Sequence, residues 1–549
     1  MSGNSSHRVE ESIRTLSDIS QTETTGRLVG GIDLVAAARR NLELLRNASE
    51  SVWLHDAPCL LEAVRRYNEL WMPLISDLTV AGTPPPMVLP PFDVEWVWFC
   101  HTLNPAGYRD YCQRKFSKLI GKPQIFDQEN EEYALMRCKQ QWIRRYPTEP
   151  FENKVADSEL EQEEEHHPVV SSANEALLNE VKKHRFLYNS KFSWPYMSEI
   201  VYLIAARQRY KGFLYLVHRF GEGCSRLVPS LDILLMWITH QSYPTVYAED
   251  LKEMENEMEK VVRIWETFNK REVEETRKLW DRVFNQPYEK AGGAVLIEAT
   301  ASVRPPIYWE VSDIDVNTNY KSMLPRFLLE ACAYTRLNPS VKSMQENAEC
   351  KILRLRMVRC HGELKIDDRL SSIASDSWRK NAQLYCEFGT RGLILELRLR
   401  GTGCFTGSKL IDSITFLWND LLRVPSLTLE KEIENQVMVV ASITPPVQAP
   451  YLLKCVSDRV TDDSGAMISD VILRMNHYKP QEGRWLSRTV LDHAGRECFV
   501  VRMRIGGGFW RRGGEAPSTV KREDRITEIC EGSWSYVAGS IGKAPVQRK

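Results

Sequence analysis

The chain of 549 residues lacks most of the signals by which chemistry is read from sequence. It has no G-x-x-x-x-G-K-[ST] loop and no G-x-S-x-G turn, so the common nucleotide-binding and serine-hydrolase frameworks are not indicated. Its 13 cysteines are scattered singly, with no C-x-x-C pair. That spacing argues against a cysteine-rich zinc site and a disulfide framework, and for reduced thiols in cytosol or nucleus. No run of about 18 apolar residues occurs, so no membrane-spanning helix is expected. Residues 1–25 are polar and rich in Ser and Thr, without an apolar leader core, and read as a disordered N-terminus. Lys plus Arg (72) and Asp plus Glu (73) cancel to a formal charge of −1. Any contact with nucleic acid or anionic lipid must therefore use a local patch.

What the chain does contain is a duplication. The stretch 90–108 carries Asp93, Trp98, His101, Pro105 and Tyr108, and the stretch 229–247 repeats them as Asp232, Trp237, His240, Pro244 and Tyr247. One offset of 139 relates all five pairs without a gap. Shared Trp, His and Tyr at fixed spacing mark an internal repeat. Two further anchors keep the same order: Arg66-Tyr67 answers Arg209-Tyr210, and residues 148–152 answer residues 285–289. Each motif reads as a helix beginning near its Asp, with Trp and His three apart on one face, Pro ending the helix, and Tyr packing back.

The periodicity divides the chain. Helical repeat 1 covers 26–155, with Leu34, Val35, Ala38, Leu42 and Leu45 on one helix face. The run 156–180, rich in glutamate from 157 to 167, reads as a solvated acidic linker. Helical repeat 2 covers 181–293, and a connector covers 294–322. Alternation of period two then begins, which marks half-buried strands. Leu353, Leu355 and Met357 are expected inside, as are Leu393, Leu395, Leu397 and Leu399, with Glu396, Arg398 and Arg400 outside. A β-sandwich is expected over 323–440 and a second β domain over 441–549, with strands near 471–473, 487–491 and 499–504 and a hairpin turn at 492–495. The fold class is multidomain α + β: a duplicated all-α half, a β-sandwich, and a further β domain that ends abruptly and is expected to be incomplete.

His101 and His240 beside Asp93 and Asp232 invite a catalytic reading. A structural role explains two identical copies more simply than two active sites, because a buried imidazole can donate at one nitrogen and accept at the other. No third ligand stands at metal-binding spacing, and neither catalytic residues, a metal nor a cofactor is expected. Asp313-Ile314-Asp315-Val316-Asn317 resembles the start of a calcium loop, but Thr318 stands where glycine is needed. Arg354, Arg356, Arg398 and Arg400 form basic strand faces that could meet RNA phosphate or anionic lipid, and Trp510, Arg511 and Arg512 between glycines could stack on bases.

The repeated motif, together with residues 483–502, resembles the plant glycine-rich domain-containing proteins, and the resemblance runs from about residue 32 to 545. It implies an N-terminal domain of unknown function made of two repeats, a C2-like domain, a C-terminal β domain and a glycine-rich tail. It also implies an RNA-binding motif in some members and links to development and to stress and hormone responses. The long glycine-rich tail is not present here, so the chain reads as a form truncated before it. Asp367, Asp368 and Asp376 could serve one calcium loop of a C2-like domain, but no second acidic loop follows, and no calcium site is expected. The reading is a non-enzymatic intracellular scaffold, cytoplasmic or nuclear, binding protein partners that the sequence does not name. An RNA-associated factor acting through the basic strands and residues 506–514 is the alternative.

Overall fold

The computed structural model describes residues 30–80, 82–153, 172–220, 226–295, 327–338, 351–359, 362–373, 375–387, 391–400 and 407–448, and the backbone of short strands between 454 and 535. The expected disorder at 1–25, the glutamate run at 157–167, the calcium-like stretch 313–317, the strand at 471–473, the turn at 492–495 and the segment 506–514 lie outside the described residues.

The first half is helical. Asp33 opens α1 (Leu34–Glu50), accepting hydrogen bonds from the amides of Val35 and Ala36. Helix α2 (Ala57–Arg65) passes through a π-helical turn (Arg66–Trp71) into α3 (Met72–Leu78). Then follow α4 (Phe92–Thr102), α5 (Pro105–Phe116) and α6 (Gln128–Arg145). The second copy comprises α7 (Ser172–His184), α8 (Ile200–Phe220), α9 (Leu231–Gln241), α10 (Pro244–Asp250) and α11 (Lys270–Phe284). Helix α7 begins inside the stretch read as linker. Pro105 and Pro244 do more than end a helix. Each stands at the first position of the next one, where a fixed φ suits the turn and no N–H is missed.

The two copies share a single apolar core running from Ile32 to Val295. Helix α1 lies against α8 and α9 of the other copy, and Asn41 Nδ2 donates to Ser242 Oγ across that contact at 2.9 Å. The helices flanking the motif are apolar nearly all round, which is why α4 and α9 are buried on almost every face.

The β half begins with an antiparallel sandwich of a five-stranded and a four-stranded sheet. One has the order β4 (Arg379–Glu387), β1 (Phe327–Leu337), β8 (Val437–Ile443), β7 (Thr428–Ile433), with β9 (Val447–Gln448) also pairing β1. The other has the order β3 (Gly362–Arg369), β2 (Lys351–Arg359), β5 (Gly392–Leu399), β6 (Lys409–Leu417). Leu353, Leu355, Met357, Leu393, Leu395 and Leu397 meet Ala331, Ala333, Val439 and Ala441 between the sheets. Trp418 opens a short helix, α12 (Trp418–Arg423), and is buried in the same core. Two expectations for β5 need correction. Leu399, expected inside, is 40% exposed, because it follows a β-bulge at Leu397/Arg398 at the strand end. Glu396, expected outside, is buried beneath the side chains of Arg356 and Arg398. A six-stranded antiparallel sheet follows, in the order β11 (Met467–Ile468), β10 (Lys454–Asp462), β12 (Trp485–Leu491), β13 (Glu497–Arg504), β14 (Arg525–Ile529), β15 (Ser533–Ser535).

Gly292 and Gly293 bring the helical half onto the sandwich. Gly292 has φ +72°, and a Cβ on Gly293 would stand 2.8 Å from Asp232 Oδ1. Beside them, Ala291 N donates to Ser442 Oγ at 3.0 Å, and Lys290 Nζ to the Ser426 carbonyl at 3.0 Å. Arg336 of β1 reaches Asp281 and Asn285 of the helical half and lies over the Trp378 ring. Burial and the nearby Arg209 push the Lys290 amine down to about 7, against the pull of Asp232. In the unfolded chain the amine holds its proton to its ordinary value of 10.5. Between these limits the unfolded chain binds more protons, so stability rises with pH from about 7 to about 10. Below about 7 the cost of burying the ammonium is present in full. Chemical denaturation across pH 6–10 checks this, and Lys290→Met is expected to flatten the rise.

Candidate functional site

The five repeated residues do not lie on an open surface. In each copy they assemble with an arginine and a tyrosine from the preceding long helical segment. Arg66 Nε stands 3.1 Å from Asp93 Oδ2, and Arg209 Nε stands 2.6 Å from Asp232 Oδ2. All four side chains are at most 5% exposed. Each guanidinium also donates to backbone carbonyls of the second anchor: Arg66 to those of Pro150, Phe151 and Glu152, and Arg209 to that of Tyr288. Each lies over a tryptophan, Arg66 5.3 Å from the Trp142 ring centre and Arg209 4.9 Å from that of Trp280. The anchors 148–152 and 285–289 are thus the floor of a buried arginine site.

The histidines form the second half of each network. Tyr67 OH and His101 Nδ1 are 2.8 Å apart, and Tyr210 OH and His240 Nδ1 are 3.0 Å apart. Trp98 Nε1 donates to Tyr108 OH at 2.9 Å, and Trp237 Nε1 to Tyr247 OH at 3.2 Å. The His101 and Tyr108 rings meet edge to face at 5.1 Å, as do those of His240 and Tyr247. Burial pushes the His101 imidazole down to about 4, so it is neutral in the fold. These groups bridge one another within the core; a small cavity of about 80 Å³ touches Pro105, Trp237 and Tyr247 beside Arg109, Glu255 and Arg263, but none of the motif histidines or aspartates lines it. Pro105 and Pro244 contribute geometry alone.

The copies also differ. Asp250 Oδ2 lies 3.2 Å from His240 Nε2, whereas Tyr111 stands at the equivalent place in the first copy and packs its ring on His101 at 4.9 Å. Burial raises both motif aspartates. Asp93 stays above its usual range despite Arg66, while Arg209, Lys290 and Ser230 bring Asp232 below it. The first copy holds a further charged cluster that the second lacks. Glu95 accepts from Arg40 at 2.7 Å and lies 3.2 Å from Lys122 Nζ, and these cations hold its carboxyl at about 2 against the opposing effect of burial. Arg40 continues to Glu131 at 3.1 Å. Arg40, Glu95 and Glu131 of this cluster line a cleft of about 1180 Å³ between the two copies, which Pro446 and Val447 also border. Sequence reading missed it, because Arg40, Glu95 and Lys122 share no spacing and meet only in the fold.

The strand arginines are taken up by acids. Arg354 chelates Asp367 at 2.6 and 2.7 Å, and Arg356 and Arg398 both pair with Glu396. Arg400 is exposed at the end of β5. Trp510, Arg511 and Arg512 lie outside the described residues. Asp368 accepts from Asn381, and among the described residues no group of three His, Cys, Asp or Glu side chains is placed to hold a metal ion. Among those residues no helix is long and apolar enough to cross a membrane.

The chain matches the family described as "Glycine-rich domain-containing protein-like" over residues 107–250, which includes the second copy of the motif. It matches "Glycine Rich Domain Protein C-terminal domain" over residues 490–549. It is 29% identical over 272 residues to glycine-rich domain-containing protein 1 of Arabidopsis thaliana, and 32% identical over 277 residues to glycine-rich domain-containing protein 2 of the same plant. Each alignment covers 48% of this chain and 33% or 34% of the relative. The chain thus spans about a third of the length of the curated relatives it matches.

Proposed function

We propose, from the premise that this chain belongs to the plant glycine-rich domain-containing protein family, that it is a non-enzymatic interaction scaffold. The observation that carries this reading is that both motif networks are tied up by partners within the helical core. The repeated histidines and aspartates, His101 and His240 with Asp93 and Asp232, are locked to neighbours of the same core. A catalytic group needs access to a reacting atom; Asp93, Asp232 and His240 are buried, and the partly buried His101 has its Nδ1 engaged by Tyr67 and its ring packed by Tyr108 and Tyr111. Their role in this reading is to hold two helical repeats in one rigid body that presents its outer surfaces to a protein partner. The sandwich is read as C2-like, which fits its two facing antiparallel sheets and adds protein or weak lipid contacts. Cytosol or nucleus as location follows from the scattered cysteines, and a link to development and to stress or hormone responses follows from the family resemblance alone. The strand arginines support the RNA alternative less, because their charge is largely neutralised by Asp367 and Glu396.

Affinity purification of the chain from plant cells, with and without nuclease, tests the proposal. Partners are expected to persist after nuclease and to be retained by an Arg511→Ala/Arg512→Ala variant. Partners that vanish with nuclease, together with steeply salt-dependent RNA binding lost in that variant, would replace the scaffold by the RNA reading.

A further inference from the structure

The cleft between the helical copies has the size and lining of a peptide site. Its volume of about 1180 Å³ exceeds what a compact small ligand fills. Phe92, Phe126, Tyr188 and Trp194 line it, each only partly buried, from both copies. Half-buried aromatic rings in a trough offer flat apolar faces and a negative quadrupole to a cation. The charged groups of the lining are five carboxylates and three guanidiniums. Arg40 is taken up by Glu95 and Glu131, and Arg46 stands by Glu43. Asp127 and Glu199 therefore outnumber Arg39 at the open rim. A polyanion such as RNA meets the wrong sign here, whereas a lysine or arginine side chain meets carboxylates and rings together.

We infer that this cleft receives an extended segment of a protein partner that carries basic side chains beside apolar or aromatic ones. The inference rests on the scaffold reading and gives it a location. The wall is preorganised: the Arg40–Glu95–Lys122 cluster fixes α1 against α4 before any ligand arrives, which lowers the ordering cost of binding.

The test pans a random-peptide display library against the full chain and measures the enriched sequences as synthetic peptides by fluorescence anisotropy. The expected consensus combines Lys or Arg with apolar residues, and its binding weakens as salt rises. Trp194→Ala is expected to weaken binding roughly 5–30-fold through loss of the cation–ring contact. Glu199→Lys, at an exposed position where folding is not at stake, is expected to weaken it roughly fivefold. No enrichment, an acidic consensus, or equal binding to wild type and Glu199→Lys would each overturn the cleft assignment. Those outcomes are distinct from failure of the scaffold reading, which is decided by nuclease sensitivity of the cellular complexes.

Discussion

Replacing Asp232 by alanine is expected to destabilise the helical half by about 3–5 kcal/mol, the cost of leaving a buried guanidinium without its anion. Arg209 cannot turn to solvent. Its guanidinium is fixed by the Tyr288 carbonyl, Ser230 Oγ and the Trp280 ring. The Lys290 amine is a second buried basic group near the same carboxylate, and it too loses the anion. Urea denaturation followed by tryptophan emission reads the effect directly. Asp93→Ala is expected to cost less, because Arg66 keeps three backbone carbonyls and its carboxylate partner is already less firmly ionised. An apolar pair, Arg209→Met with Asp232→Leu, should recover much of the loss, since a buried ion pair is a weak source of net stability and a strong source of damage when halved. A loss under about 1 kcal/mol for Asp232→Ala would mean that water reaches the site and that the buried-pair description is wrong.

Trp280→Ala is expected to cost about 3–5 kcal/mol, for a different reason. The indole is fully buried, 4.4 Å from the Phe284 ring and 5.3 Å from that of Tyr288, with Arg209 above it. Its removal opens a large cavity and strips the cover from the guanidinium. Trp142→Ala tests the duplication energetically. Trp142 holds the matching place beneath Arg66 and meets Phe151 at 5.8 Å, so a loss of similar size is expected. Trp280→Phe keeps an aromatic face and should lose less than half as much. If the two alanine variants differed widely, with Trp142 near neutral, the copies would share a pattern without sharing its mechanics.

Both effects concern residues whose importance was visible in the sequence only in part. Asp, Trp, His, Pro and Tyr were legible because a fixed offset repeats them, and a gapless spacing survives only where the helix geometry between them is the same. The counterpart pairs Arg66-Tyr67 and Arg209-Tyr210 were also legible as anchors. Their partners were not. That Arg66 closes on Asp93 and Tyr67 on His101 depends on how the long helical segment crosses α4, which no local period encodes. The alternation of β2 and β5 set the inward leucines correctly until a bulge intervened, and it misplaced Glu396 because two arginines cover that carboxylate from the same face.

The sequence by itself determined the class of the molecule: a duplicated helical half, a β-sandwich and a further antiparallel β sheet, and a likeness to the glycine-rich domain-containing proteins carried by its motifs. Periodicity and repetition are local properties, and they survive in a string of letters. Tertiary structure alone decided that the two copies share one core, that their histidines bond to the tyrosines of the preceding helical segment, that Lys290 is buried where the halves meet, and that an aromatic, carboxylate-rimmed cleft opens between them. Each of these joins residues tens to hundreds of positions apart. Burial and pairing arise only when the chain closes such distances, and they set the charge and accessibility on which function depends.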